Sequence, residues 1–161
     1  MVLALDEARA AAAAGGLEPW QPARARSAAD ILARAYAGSL EATLYPDLAS
    51  PAGCLRVIRG LTRAGMLLAE ASGLILVGGE PAGTIVAARL AAQTAGIEHV
   101  AVLPALRGQG LGKRMLGWSL ERLRAAGFAR VELHVTRDNA PAVRLYQAAG
   151  FNLLSVYEAR G

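Results

Sequence analysis

The stretch Val100-Ala-Val-Leu-Pro-Ala-Leu-Arg107-Gly-Gln-Gly-Leu-Gly112-Lys-Arg-Met-Leu116 decides the fold of this chain. Its apolar, partly β-branched start reads as a strand that stops at Pro104, which cannot donate to a strand ladder. Gly108, Gly110 and Gly112 strip side chains from the turn that follows. Leu111, Met115, Trp118, Leu120 and Leu123 then mark the apolar positions of a helix that Gly127 ends. In a strand, glycine loop and helix of this kind, backbone N–H groups converge on one small volume. The helix adds its unsatisfied first-turn donors and the positive end of its dipole. Arg107 stands at the mouth, with Lys113 and Arg114 in the first turn. By physical argument alone this is a diphosphate cradle.

Downstream, Ala129–Thr136 reads as a strand, Asp138 or Asn139 caps a helix through Val143, Leu145 and Tyr146 to Gly150, and Phe151–Tyr157 reads as a last strand. Upstream, Ile97–Leu103 is preceded by a hairpin of Gly73–Val77 and Thr84–Arg89 around a Gly78–Gly83 turn. Before it come two helices, 28–44 capped by Ser27 and 51–65 opened by Pro51. Leu17–Pro22, punctuated by Pro19 and Pro22, allows at most a short edge strand, and alanine-rich residues 4–14 suggest an additional helix within 1–16. The order is helix, helix, hairpin, strand, helix, strand, helix, strand: an α/β sandwich with a mixed sheet, in one domain over 1–161.

Three ligand classes use such a cradle. A P-loop needs G-x-x-x-x-G-K-[S/T]. Here Arg107 stands where the first glycine belongs and Arg114 where the hydroxyl belongs. A dinucleotide loop needs G-x-G-x-x-G. Gly108-x-Gly110 is followed by Lys113 in place of the third glycine. Coenzyme A is the third class. The pattern Arg107-x-x-Gly110-x-Gly112 after Val100-Ala-Val102-x-Pro104 resembles the acetyl-CoA signature of the GNAT N-acetyltransferase superfamily. Asn139-x-x-Ala142-x-x-Leu145-Tyr146-x-x-x-Gly150-Phe151 is similar to the family's next motif block. The likeness is specific over 97–152 and only topological over 17–96.

The resemblance implies a mixed, mostly antiparallel sheet with two splayed strands, flanked by helices, and acetyl-CoA lying in the cleft between them. The backbone of Val100, Ala101 and Val102 would pair with the pantetheine arm, and Asn139 would hydrogen-bond it near the thiol. The N–H groups of Arg107, Gly108, Gln109, Gly110, Leu111, Gly112 and Lys113 would hold the pyrophosphate. Tyr146 would hydrogen-bond or protonate the departing thiolate. The implied reaction is direct attack of a primary amine on the thioester, with fixed N–H donors stabilising the oxyanion and no metal involved. The alternative is a fold that binds CoA without turnover, as a sensor or interaction module.

Two residues are candidates for taking the amine's proton. Many relatives place a glutamate twelve residues before the tyrosine; that position is His134, a side-chain type that titrates near neutral pH. Glu98 shares parity with Val100 and Val102, so strand alternation would aim it into the same cleft. A chain of waters with no dedicated base is the third option. Tyr36, Glu41, Tyr45 and Asp47 are candidates for an acceptor pocket, and the acids suit a cationic amine, either a small molecule or a peptide N-terminus. His99 faces away from Val100 and is read as structural.

Composition excludes other classes. The chain has 161 residues and 54% hydrophobic content, enough for a packed core. No run approaches the ~20 apolar residues of a membrane span. A formal charge of +4 is carried mostly by arginine, but only 5% of residues are aromatic, which argues against a nucleic-acid groove. The single Cys54 and two histidines give neither a disulfide framework nor a zinc site. Asp6 and Glu7 break the apolar start, so no secretory signal is read and a cytoplasmic location is expected. Most relatives continue through one more strand after the one read here at 151–157. The sheet edge left open predicts a homodimer.

Overall fold

The computed structural model describes residues 1–5 and 16–155. Six strands form one sheet: β1 Val2–Ala4, β2 Leu17–Pro19, β3 Gly73–Val77, β4 Glu80–Ala91, β5 Thr94–Val102 and β6 Arg130–Leu133. Their order is β1-β6-β5-β4-β3-β2. Neighbours are antiparallel except β5 and β6, which run parallel. The expected mixed, mostly antiparallel sheet flanked by helices is the fold observed.

Helices α1 Ala25–Tyr36 and α3 Pro51–Arg63 cover one face. They bury Ala28, Ile31, Leu32, Cys54 and Ile58 with Leu74 and Ala101 of the sheet. Helices α4 Leu111–Ala125 and α5 Ala140–Ala148 cover the other. There Leu111, Met115, Leu116, Leu123 and Tyr146 pack against Ile85, Ile97, Val131 and Leu133. Each fully buried Leu or Ile contributes about 1.5–3 kcal/mol. The two apolar layers therefore fix the sheet between the helices.

Several boundaries differ from the sequence reading. The helix expected over 28–44 is two helices. Gly38 takes φ +74°, a left-handed conformation that ends α1. Ser39 then starts α2 Leu40–Leu44 by accepting from the Ala42 N–H at 3.2 Å. Helix α1 also starts at Ala25, so Ser27 lies inside it rather than capping it. The hairpin turn is only Gly78–Gly79, with φ +59° and +80°, and β4 begins at Glu80. Pro81 fits there because β5 reaches β4 only from Gly83 onward, so no ladder bond is lost on that side.

The largest difference lies beside β6. The expected strand 151–157 is reduced to one bridge, between Asn152 and Val2, and residues 156 and 157 lie outside the described ones. The place next to β6 is taken by β1, from the start of the chain, with Val2 opposite Glu132 and Ala4 opposite Arg130. Leu3 and Leu5 point into the core at 2% and 0% exposure. Period-two alternation accounts for this: both leucines face in, and Val2 and Ala4 face away. Edge pairing of β6 is thus supplied from within the chain, and β1 becomes the outer strand on that side. The alanine-rich segment expected to be helical falls almost entirely on residues 6–15, outside the described ones. Among the described residues no helix is long and apolar enough to cross a membrane.

Candidate functional site

Strands β5 and β6 pair only from Thr94–Ile97 to Arg130–Leu133. Beyond Ile97, β5 continues to Val102 while β6 has ended. The two parallel strands thus part at their carboxyl ends, where open α/β sheets bind ligands. A β-bulge marks the point of parting. Val86 pairs with His99 and Ala87 with Ile97, which leaves Glu98 as the extra residue.

A cavity of about 670 Å³ fills this opening. Val100, Ala101 and Val102 of β5 form its floor, with Gly108, Gly110, Gly112 and Lys113 at the start of α4. Thr136 and Asn139 before α5 form another wall, and Tyr36 and Glu41 of α1 and α2 a third.

The glycine loop has the conformation its sequence implies. Gly108 and Gly110 take φ +80° and +76°, and a Cβ on either would meet open space. Conformation, not crowding, requires glycine there. Gly110 is the N-cap residue of α4, and no side chain caps the helix. Its first-turn donors are left for a ligand. At Gly112 a Cβ would lie 3.5 Å from Leu145 and 3.9 Å from Val100, so the start of α4 touches both α5 and β5. Arg107 lines the cavity while its guanidinium donates to the Ala35 carbonyl near the end of α1 at 2.8 Å. An open cradle of N–H donors, flanked by Arg107 and Lys113 and continuous with an elongated cleft, fits a nucleotide diphosphate with a long arm.

Asn139 caps α5: its Oδ1 accepts from the Ala142 N–H at 3.3 Å. Glu41 is held in place by Thr136, whose hydroxyl donates to Glu41 Oε1 at 2.6 Å. Burial opposes the charge on Glu41. Hydrogen bonds from Thr136, its own backbone, Ser39 and Asn139 outweigh it and hold the carboxyl below its ordinary range.

The candidate residues divide. Val100, Ala101, Val102, Arg107, Gly108, Gly110, Leu111, Gly112, Lys113 and Asn139 line the cavity. Gln109 is exposed in the loop. Glu98 and His134 are not among the lining residues. The bulge breaks the alternation that was to aim Glu98 along with Val100. Its carboxylate lies over Gly96 and beside Leu90, with Oε1 only 2.7 Å from where a Gly96 Cβ would be. Burial pushes this carboxyl up, and nearby His134 opposes the shift. His134 is exposed, one residue past the end of β6.

Tyr146 is 7% exposed, packs edge-on against Phe151 and is not among the lining residues, although its neighbour Leu145 is. Burial pushes its phenol up to about 12, so it remains protonated at neutral pH. Of the four acceptor-pocket candidates, Tyr36 and Glu41 line the cavity. Tyr45 is exposed, and Asp47 pairs with Arg56 at 2.6 Å. His99, read as structural, contacts Tyr36: its Nδ1 lies 3.2 Å from the Tyr36 hydroxyl. Alternation from Val100 already places His99 on the α1 face with Ala101. The contact was missed because Tyr36 lies 63 residues away in the chain. Glycine at 96 was the available signal for the bulge that takes Glu98 out of the cleft, since a strand-interior glycine often accompanies a bulge.

A profile of the acetyltransferase (GNAT) family matches residues 32–151. A mycothiol acetyltransferase of Beutenbergia cavernae is 40% identical over 70 residues, covering 44% of this chain and 24% of that protein. The chain thus spans about a quarter of that curated relative's length. Among solved structures, the ribosomal-protein-S18-alanine N-acetyltransferase of Escherichia coli superposes with a TM-score of 0.68 at 22% identity, over 86% of this chain and 78% of that one. A GNAT family acetyltransferase of Brucella melitensis in complex with acetyl-CoA superposes with a TM-score of 0.65 at 20% identity, over 90% of each chain.

Proposed function

This chain belongs to the acetyltransferase (GNAT) family, and on that premise we propose that it transfers an acetyl group from acetyl-CoA to a primary amine by direct attack, without a covalent enzyme intermediate. The observation that carries the reading is the parting of β5 from β6 directly beside the uncapped, glycine-led start of α4. When bound, acetyl-CoA supplies the acetyl group as a thioester. The N–H groups from Gly108 to Gly112 hold its diphosphate, with Arg107 and Lys113 adding positive charge. Backbone groups of Val100 and Val102, which β6 does not reach, are left to orient the arm and to stabilise charge on the thioester oxygen. Tyr146 keeps its proton and serves the sulfur side as a hydrogen-bond donor. The cleft aligns both reactants, which supplies much of the rate.

The acceptor enters along α1 and α2, where Tyr36 and the charged Glu41 line the cavity. An anionic carboxylate on that side favours a cationic acceptor, such as a small amine or a peptide N-terminus. The relatives named as mycothiol acetyltransferases support the class of reaction. The test is a thermal-shift titration with acetyl-CoA, CoA, NADH and ATP in parallel. Acetyl-CoA at ~100 times its Kd adds about 2.7 kcal/mol, read as roughly 5–10 °C for a domain of this size. A shift with NADH or ATP and none with either CoA form would overturn the reading.

A further inference from the structure

The acceptor side of the cavity contains a half-buried pair of aromatic groups whose contact the reaction outlined above does not use. Tyr36, at the end of α1, lines the cavity. Its hydroxyl lies 3.2 Å from His99 Nδ1, and the two rings meet edge-on at 5.8 Å and 72°. Alternation along β5 puts His99 on the same face as Ala101, which packs with α1. Burial holds His99 down to about 4, so its ring is uncharged at neutral pH. Burial, with Tyr146, Glu41 and Cys54 nearby, pushes the Tyr36 phenol up. The pair therefore carries one phenol proton and one imidazole proton across the physiological range.

We propose that Tyr36 is a catalytic residue that orients the attacking amine, and that His99 positions it. The Tyr36 O–H donates to His99 Nδ1, which turns the remaining lone pairs of the phenol oxygen toward the cavity. There they accept an N–H from the amine and aim its lone pair at the thioester carbon. As the C–N bond forms, nitrogen becomes positive and this hydrogen bond strengthens, so the transition state gains more than the ground state. The charge of Glu41 acts in the same direction. The acceptor attacks as the neutral amine, its ammonium proton having first passed to water. The C–S bond then breaks, the sulfur leaves with its electron pair and takes a proton from water, and the nitrogen releases its second proton to water. Tyr36 keeps its own proton throughout. The proposal rests on the acetyl-transfer reading above and adds the residue that handles the amine.

Two measurements test it. Nitrogen-15 NMR of the His99 ring reads the direction of the hydrogen bond without any acceptor. The Nε2–H tautomer is expected, and Nδ1–H would overturn the proposal. Kinetics with acetyl-CoA and glycinamide as the amine read the consequence. Tyr36→Phe is expected to lower kcat about 10- to 100-fold with acetyl-CoA affinity unchanged by calorimetry. His99→Leu should lower kcat in the same direction. His99→Asn, which keeps an acceptor near the Nδ1 position, should restore most of it. The double variant Tyr36→Phe/His99→Leu should be no slower than Tyr36→Phe alone. Additive losses would make His99 a structural residue and overturn the pairing. Binding of acetyl-CoA with no Tyr36-dependent turnover would overturn the role of Tyr36. Failure to bind acetyl-CoA would instead overturn the reading beneath it.

Discussion

Thr136, just past the end of β6, donates a 2.6 Å hydrogen bond to Glu41 on α2, ninety-five residues earlier in the chain. This bond joins the acceptor side of the cavity to the segment that leads into α5. The folded carboxyl binds its proton less tightly than an unfolded one. Its share of stability is therefore full above the unfolded value, near ~4.3, and is lost as pH falls through the folded value. Thr136→Val should cost about 1 kcal/mol at pH 7, discounted for the partial exposure of Glu41. Urea unfolding at pH 7 and pH 3 checks this. The deficit should shrink at the lower pH, and a deficit independent of pH would detach it from the carboxylate.

Gly110 and Gly112 both belong to the cradle, but for different reasons. Gly110 has φ +76° and Gly112 does not adopt a positive φ. Gly110→Ala should therefore destabilise the fold by about 1–2 kcal/mol. Gly112→Ala meets only ordinary contacts with Leu145 and Val100 and should melt no lower than the parent. Both glycines line the cavity proposed for the diphosphate. Both variants should weaken acetyl-CoA binding about tenfold, or 1.4 kcal/mol, by calorimetry. Parental affinity in both would place the diphosphate elsewhere.

The glycine loop and the strand and helix beside it were legible because their residues act locally: each glycine, the proline and the helical spacing impose their own backbone geometry. The two-helix break was also local, but Gly38-Ser39 sits within a run of good helix formers that masks it. The bulge at Glu98 was not legible. It follows from how β5 must register with β4 over the whole hairpin, and it reverses the facing of every residue on one side of it. That reversal is why Glu98 does not line the cavity. His99 reaches Tyr36 by plain alternation from Val100, through a contact across 63 residues of chain that no local pattern announces. The placement of β1 was hidden for a related reason. Three residues at the start of the chain pair with a strand about 130 positions later, and no local pattern announces such a pairing.

Leu3 of β1 and Leu5 just after it are buried, whereas Leu153 and Leu154 are exposed at 65% and 68%. If β1 completes the sheet, Leu3→Ala should cost about 2–4 kcal/mol. Leu153→Ala and Leu154→Ala should stay within about 0.5 kcal/mol. Urea midpoints with an unchanged slope would show this difference. The opposite ranking would mean that residues after Phe151, not β1, pair with β6.

Glu98 and His134 are near each other but away from the cavity lining, whereas Tyr146 directly follows the lining residue Leu145 on α5 and is close enough to Tyr36 to affect its titration. A group that takes or gives a proton must lie within hydrogen-bond reach of the reacting atom, directly or through one water. Glu98→Gln and His134→Gln should therefore leave kcat and its pH profile close to parental values. Tyr146→Phe removes a donor from the sulfur side and should lower kcat about 10- to 100-fold with acetyl-CoA affinity retained. All three are read in one series, by thiol release from acetyl-CoA with glycinamide between pH 6 and 9. Loss of the acidic limb in His134→Gln would restore it as the base. A parental rate in Tyr146→Phe would leave Tyr36 as the cavity's only working phenol among the described residues. The proton that reaches sulfur would then have to come from water.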